Sequence, residues 1–296
     1  MSCIVSKVII FGAGKQGEKY MYEYGNNIKI LAFADNLRNK GMFYGHPIIF
    51  PDLIPTFEYD WIVIAIDDMN ESGRNSILSI LEQLKELRIP SDKIMISECR
   101  YHLNDQRVDF CRRLSEIFVK KNVMGSIAEA GTYRGHFSAY LNRFFPDRKL
   151  FLFDTFEGFP DKDIAITVDL ENKQLIEKTD VYDYLLRCGN EEITCLRCIN
   201  REKVIIRKGY IPETFEGLDK EIFAFCNIDV DLYKPTLGAL QFFLPRMAKN
   251  GVILVHDYYN QQFHNGIKKA LSEVAEKFLF AELPIGDGYS IAIIPQ

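Results

Sequence analysis

No basic excess runs through this chain: 36 lysines and arginines face 41 aspartates and glutamates, a formal net charge of −5. A protein that grips a phosphate backbone needs the opposite balance, so nucleic acid is not expected as the main partner. No apolar run approaches the roughly 18 residues of a membrane-spanning helix, and no span is expected. The first residues, MSCIVSKVIIFGAGKQG, lack the charged segment, long apolar run and small-residue cleavage site of a secretion signal, which points to a cytoplasmic protein. A disulfide framework is also missing. Seven cysteines, Cys3, Cys99, Cys111, Cys188, Cys195, Cys198 and Cys226, are an odd number at scattered spacing and read as reduced thiols. Cys195 and Cys198 form a CxxC without the second pair that completes a zinc site, and read as half-buried residues near a strand. No solenoid repeat is visible.

What is present is a chain of 296 residues, comfortable for two domains, with 47% hydrophobic and 26% charged residues. Short β-branched runs alternate with helical patterns. KVIIF (7–11), 28–35, WIVIAI (61–66) and KIMIS (93–97) read as strands, and the segment between the second and third as loop-rich. Residues 18–25 read as a helix, and 74–89 carries Ile77, Ile80, Leu81, Leu84 and Leu87 at helical spacing before Pro90. The polar stretch ECRYHLNDQR (98–107) marks a domain boundary. The expected domains are 1–100, a small Rossmann-like nucleotide-binding unit, and 105–296. The second holds strands at 126–130, 150–154, 203–207, 223–229, 252–256, 278–283 and 289–294, and helices at 108–122, 136–145, 173–187, 235–247 and 265–277. The fold class is α/β: two doubly wound domains, the second with seven mostly parallel strands and an antiparallel strand from a hairpin turned at Gly-Asp-Gly.

The first unit carries Gly12, Gly14 and Gly17 as GxGxxG between a strand and a helix, with Asp35 ending the next strand. Glycine permits the tight turn, the approach of a phosphate and close helix packing, while the acid suits a ribose. NAD(P) or another nucleotide is therefore a candidate ligand. Neither Tyr-x-x-x-Lys nor a histidine-based catalytic set accompanies the loop, and about five strands are short of a full dinucleotide fold.

A second glycine loop, SIAEAGTYRGHFSAYL, places Glu129, Gly131 and Gly135 as E-x-G-x-x-x-G, with the acid read as part of the turn. A carboxylate there repels phosphate and suits a cationic amino group. S-adenosylmethionine carries an ammonium, a sulfonium and a ribose, and no phosphate. Asp154 ends the following strand in LFLFDTFEGFP, where it can accept from ribose hydroxyls. Glu129, Gly131, Tyr133, Gly135, Asp154, Thr155 and Phe156 form the candidate cofactor set. Phe156, Phe159, Tyr258 and Tyr259 flank the crevice and can stack on adenine or a sugar, or simply pack.

In NIDVDLYKPT, Asp229 ends one strand and Asp231 follows two residues later. His256 and Asp257 end the next strand, one helix later, so a parallel sheet makes them neighbours of Asp229. Asp229, Asp257 and Asp231 are hard oxygen ligands suited to magnesium or another divalent cation. Asp229 and His256 are the candidate catalytic bases.

IAEAGTYRGHFSAYL, LFLFDTFEGFP, RKGYIPETF, NIDVDLYKPTLGALQFFLPRMAKNGVILVHDYYN and GIKKAL together resemble the macrocin O-methyltransferase (TylF/MycF) family, across about residues 108–296. The resemblance implies a class I methyltransferase fold, S-adenosylmethionine, a divalent cation, and methylation of a sugar hydroxyl on a glycoconjugate, polysaccharide precursor or glycosylated natural product. Its macrolide-modifying members carry Asp-Asp-Tyr where this chain has His256-Asp257-Tyr258. The histidine leaves two roles open, nitrogen ligand or general base. The first 100 residues resemble small Rossmann-like domains of sugar-modifying pathways. They leave open a bifunctional enzyme that binds NAD(P) or a nucleotide sugar, or a docking module, and a homo-oligomer is open as well.

Overall fold

Strand and helix alternate through the computed structural model of the chain, which describes residues 5–38, 40–98, 105–160, 163, 166, 189–260 and 264–296. It divides into two units, Met1–His102 and Leu103–Gln296. Among the described residues, no helix is long and apolar enough to cross a membrane.

In the first unit, β1 (Ser6–Phe11), α1 (Lys15–Tyr24), β2 (Ile28–Ala34), β3 (Met42–Phe43), β4 (His46–Ile49), β5 (Trp61–Ile64), α2 (Glu71–Glu86) and β6 (Ile94–Ile96) build a six-stranded sheet ordered β3-β4-β2-β1-β5-β6. The segment expected as loop contributes β4, parallel to β2, and β3, antiparallel to β4. Strands of two and four residues broken by Gly41, Gly45 and Pro47 carry no legible period. Asn70 caps α2 by accepting from the Gly73 N–H at 2.9 Å, so the helix starts three residues before the expected Arg74. Its buried face is Ile77, Ile80, Leu81 and Leu84, as the spacing implies.

The second unit runs α3 (Gln106–Lys121), β7 (Ser126–Ala130), α4 (His136–Phe144), β8 (Leu150–Asp154), α5 (Glu191–Arg197), β9 (Val204–Lys208), β10 (Phe223–Ile228), α6 (Tyr233–Phe243), β11 (Met247–Val255), α7 (His264–Ala275), β12 (Phe280–Pro284) and β13 (Ile291–Pro295). Its seven strands lie in the order β12-β13-β11-β10-β7-β8-β9. All pairings are parallel except those of β13 with β11 and β12. Both faces are covered. Phe151, Phe153, Phe223, Ile253 and Ile293 enter one core, while Leu150, Leu152, Phe225, Val252 and Leu254 enter the other. Each such side chain contributes roughly 1.5–3 kcal/mol by leaving water. The expected helix 173–187 lies outside the described residues. The short α5 was not expected; it carries Cys195 and is capped by Cys198, so the CxxC ends a helix instead of lining a strand.

Candidate active site

The carboxyl ends of β7, β10 and β11 are neighbours, and the loops leaving them hold most of the chemistry. Glu129 is the penultimate residue of β7, not part of the turn. Its two-residue phase with Ile127 turns it toward the face covered by α4. There Ser138 donates to Glu129 Oε2, and Asn227 Nδ2 donates to Oε1 at 3.3 Å. Asn227 is its register partner on β10. Glu129 is 2% exposed, and burial pushes its carboxyl up to about 8, against the lowering effect of the Ser138 bond.

The loop after β7 runs against β10. A Cβ on Gly131, at φ +86°, would sit 1.8 Å from the Asp229 carbonyl oxygen. Only glycine lets the cofactor-type loop touch the strand end that carries Asp229. Gly135 (φ +75°) is the N-cap of α4, and a Cβ there would meet Thr194. Tyr133 and Phe156 also have positive φ, 53° and 56°, a conformation that costs a bulky residue strain and recurs at functional loops. Asp154 stitches these loops together. Its Oδ2 accepts from the Thr132 and Tyr133 N–H groups at 2.8 and 2.7 Å, and its Oδ1 from the Phe156 N–H at 2.7 Å. Burial raises its carboxyl pKa despite these three donors. A carboxylate offers about four lone-pair sites, so about one remains, on Oδ1. Thr155 Oγ1 donates to the Gly158 carbonyl at 2.7 Å.

Asp229, His256 and Asp257 bring one ligand atom each within 4.8 Å of one another. Two carboxylate oxygens and an imidazole nitrogen fit a divalent cation, and the nitrogen widens the choice from magnesium to borderline metals such as manganese or iron. Asp231 stands beside this trio, in the left-handed region at φ 55°. Desolvation, then the charges of Asp257 and Asp229, push its carboxyl well above the usual carboxylate range. Asp257 itself is at φ 58°. Arg107, in the stretch expected as linker, is a helix residue whose Nη1 donates to Asp229 Oδ2 at 2.7 Å. Its other nitrogens hold Asp105, the cap of α3, and its guanidinium lies 5.1 Å from the Phe137 ring. Arg107, Ser138 and Asn227 were not anticipated as site residues. Only Asn227 left a trace, two residues before Asp229 in a strand where alternate residues share a face.

A family profile for macrocin O-methyltransferase (TylF) matches residues 101–277. The chain belongs to the macrocin O-methyltransferase family. A second profile, C2185-like N-terminal, matches residues 4–95. Among curated relatives, the chain is 26% identical over 159 residues to the 8-demethyl-8-(2,3-dimethoxy-alpha-L-rhamnosyl)-tetracenomycin-C 4'-O-methyltransferase of Streptomyces olivaceus. That match takes in 52% of this chain and spans 60% of the relative's length. Among solved structures, the O-methyltransferase NovP superposes with TM-score 0.50 at 20% identity, covering 64% of this chain and 80% of its own. The calicheamicin methyltransferase CalS11 does so with TM-score 0.50 at 17% identity, covering 78% and 95%. These likenesses establish the methyltransferase fold.

The macrocin O-methyltransferase profile leaves residues 1–100 unmatched, and there too a glycine loop is built. A Cβ on Gly12 would sit 2.7 Å from the Ala65 carbonyl oxygen, and one on Gly17 2.0 Å from that of Gly12, so both are demanded by packing. Gly14 faces open space. Asp35 accepts from Ala13 N–H through Oδ2 and from Leu37 and Arg38 N–H through Oδ1, each at 2.8 Å. In the second unit, Tyr258 and Tyr259 pack edge to face at 4.9 Å beside the metal-type motif. His264 begins α7.

Proposed function

We propose that this chain is an S-adenosylmethionine-dependent O-methyltransferase acting on a sugar hydroxyl of a glycosylated small molecule or glycan precursor. The observation that carries the reading is the meeting of the Gly131 loop, with Glu129 beneath it, and the Asp229–His256–Asp257 trio on adjacent strand ends of one sheet. The relative from Streptomyces olivaceus, named for methylating a rhamnosyl-bearing compound, supports a sugar acceptor.

S-adenosylmethionine would bring an electrophilic methyl group on a sulfonium, and a divalent cation would favour the alkoxide of an acceptor hydroxyl. Glu129, held by Ser138 and Asn227, would give up its proton as the cofactor's ammonium arrives and then supply negative charge opposite it. Asp154 would keep the loop in shape and offer its remaining lone pair to a ribose hydroxyl. Asp229, Asp257 and His256 would hold the cation, with Asp231 beside them. Asp229 or His256 would take the hydroxyl's proton. Methyl transfer is an in-line displacement, so these residues act by positioning more than by covalent help.

Isothermal titration with S-adenosylmethionine tests the cofactor. Binding is expected, with a loss of at least an order of magnitude in Glu129→Ala; no binding by the wild type would end the reading. Turnover of glycosylated acceptors should stop with EDTA and in Asp229→Ala and Asp257→Ala, and activity undiminished by chelation would remove the cation. For the first unit, the open approach over Gly14 leaves room for a bound nucleotide, NAD(P) or a nucleotide sugar, beside the docking role. Mass spectrometry of small molecules released from denatured protein separates these two.

A further inference from the structure

His256 stands just past the end of β11 beside Asp257, and the fold gives it a support of its own. The turn between β12 and β13 carries Asp287 and Ser290. Ser290 Oγ lies 2.8 Å from His256 Nδ1 and donates to Asp287 Oδ2 at 2.5 Å. Asp287 Oδ1 is engaged separately, by the N–H groups of Tyr289 at 2.9 Å and Ser290 at 2.7 Å. Ser290 is 1% exposed, so the central hydroxyl is shielded from water, while Asp287 is partly exposed.

The proton count decides the tautomer. A serine hydroxyl has one hydrogen, and a carboxylate oxygen only accepts. The Ser290 hydrogen therefore goes to Asp287, and the Ser290 oxygen accepts from the imidazole. Nδ1 carries the ring hydrogen, and the lone pair of the neutral ring is on Nε2. Nε2 lies 3.6 Å from Asp257 Oδ1, inside the trio. Left alone, that carboxylate would draw a hydrogen onto Nε2 and turn a donor toward the cation site. We propose that Ser290 and Asp287 are positioning residues that hold His256 in the Nδ1–H tautomer, so that an Nε2 lone pair faces the cleft shared with Asp229 and Asp257. The proposal rests on the reading of the site given above, and serves His256 equally as metal ligand or as base.

The test reads the tautomer directly, by long-range nitrogen–proton NMR of the full, metal-free chain labelled on its five histidines. His256→Asn assigns the signal. The wild type is expected as Nδ1–H. Ser290→Ala should convert His256 to Nε2–H, and Ser290→Thr, which keeps the hydroxyl, should restore it. Asp287→Asn is the sharper variant. Its Oδ1 stays on the two backbone N–H groups, so its amide nitrogen replaces Oδ2 and donates to Ser290 Oγ. The hydroxyl hydrogen then turns to Nδ1, and the tautomer reverses with little change of shape. Manganese titration should follow the same order, with Ser290→Ala and Asp287→Asn weakened roughly 10–100-fold and Ser290→Thr near wild type. An Nε2–H wild type, or a tautomer unmoved by Asp287→Asn, overturns the proposal. A wild type that binds no manganese sinks the cation reading of the site, while the NMR result still decides the tautomer.

Discussion

Glu129 should cost the second unit stability as the pH rises, and Glu129→Gln should remove that cost. The carboxyl is held at about 8 in the folded chain, against 4.5 for an unperturbed glutamate. Between these values the folded state binds more protons than the unfolded one, so the slope of unfolding free energy with pH is negative. The contribution is fully present below the unfolded value and is lost as the pH climbs through 8. At 1.36 kcal/mol per unit the swing has a ceiling of roughly 5 kcal/mol. Relaxation around the ionised carboxylate lowers it, and about 2 kcal/mol is a conservative expectation. Glutamine keeps the shape and never ionises. Urea unfolding of metal-free protein should therefore show the two proteins nearly equal near pH 5, with Glu129→Gln increasingly the more stable toward pH 9. Trp61, the single tryptophan, lies in the first unit, so its fluorescence is the internal control and should show no such divergence. The second unit is followed by far-ultraviolet circular dichroism. A stability difference that stays flat across this range would mean that Glu129 is already ionised in the fold, and the burial argument would fail.

Two other substitutions probe what surrounds it. Arg107→Met leaves Asp229 without the guanidinium on its Oδ2; Arg107 is buried but the Asp229 side chain is 24% exposed. The expected loss, by urea midpoint, is about 2–4 kcal/mol, and adding Asp229→Asn should restore at least about 1 kcal/mol of it. Asp154→Ala strands three backbone N–H donors and should cost about 2–4 kcal/mol, together with at least tenfold in S-adenosylmethionine affinity by calorimetry.

Much of the second unit was legible because its sheet is buried on both faces. LFLFD and FAFCNID read as largely apolar runs that end in the acids of the site, and the order of motifs then set the sheet edge. What escaped was whatever depends on partners distant in the chain. Arg107 sits in a polar stretch that looks like a linker, and its carboxylate is 122 residues away. No local pattern announces such a pair. Asp287 looked like ordinary turn chemistry, and one of its oxygens does serve the turn. The other acts on His256 only because β13 lies antiparallel beside β11. Glu129 was placed in the turn because a strand's last residues and the turn that follows share the same letters. Its phase with Ile127, carried one step further, points it inward.

The acid that ends the second strand is the residue most readily over-read. In each unit it follows a glycine loop at the position where a ribose acceptor is expected. In each it is already committed to backbone donors of that loop and of its own turn: Asp35 to Ala13, Leu37 and Arg38, Asp154 to Thr132, Tyr133 and Phe156. Three of about four lone-pair sites are used in both cases. The acid is thus needed for the loop whether or not a nucleotide ever arrives, which is why the fingerprint persists in domains that have changed ligand or lost it. What separates the two units is the residue beneath the loop and the strand beside it. The second unit buries Glu129 under its loop and faces it with Asn227, two residues from Asp229. On the proposed reading, the signal to look for is therefore the buried acid of β7 together with Asn227 on β10 and Asp229 just past its end, more than the glycines or the strand-end aspartate.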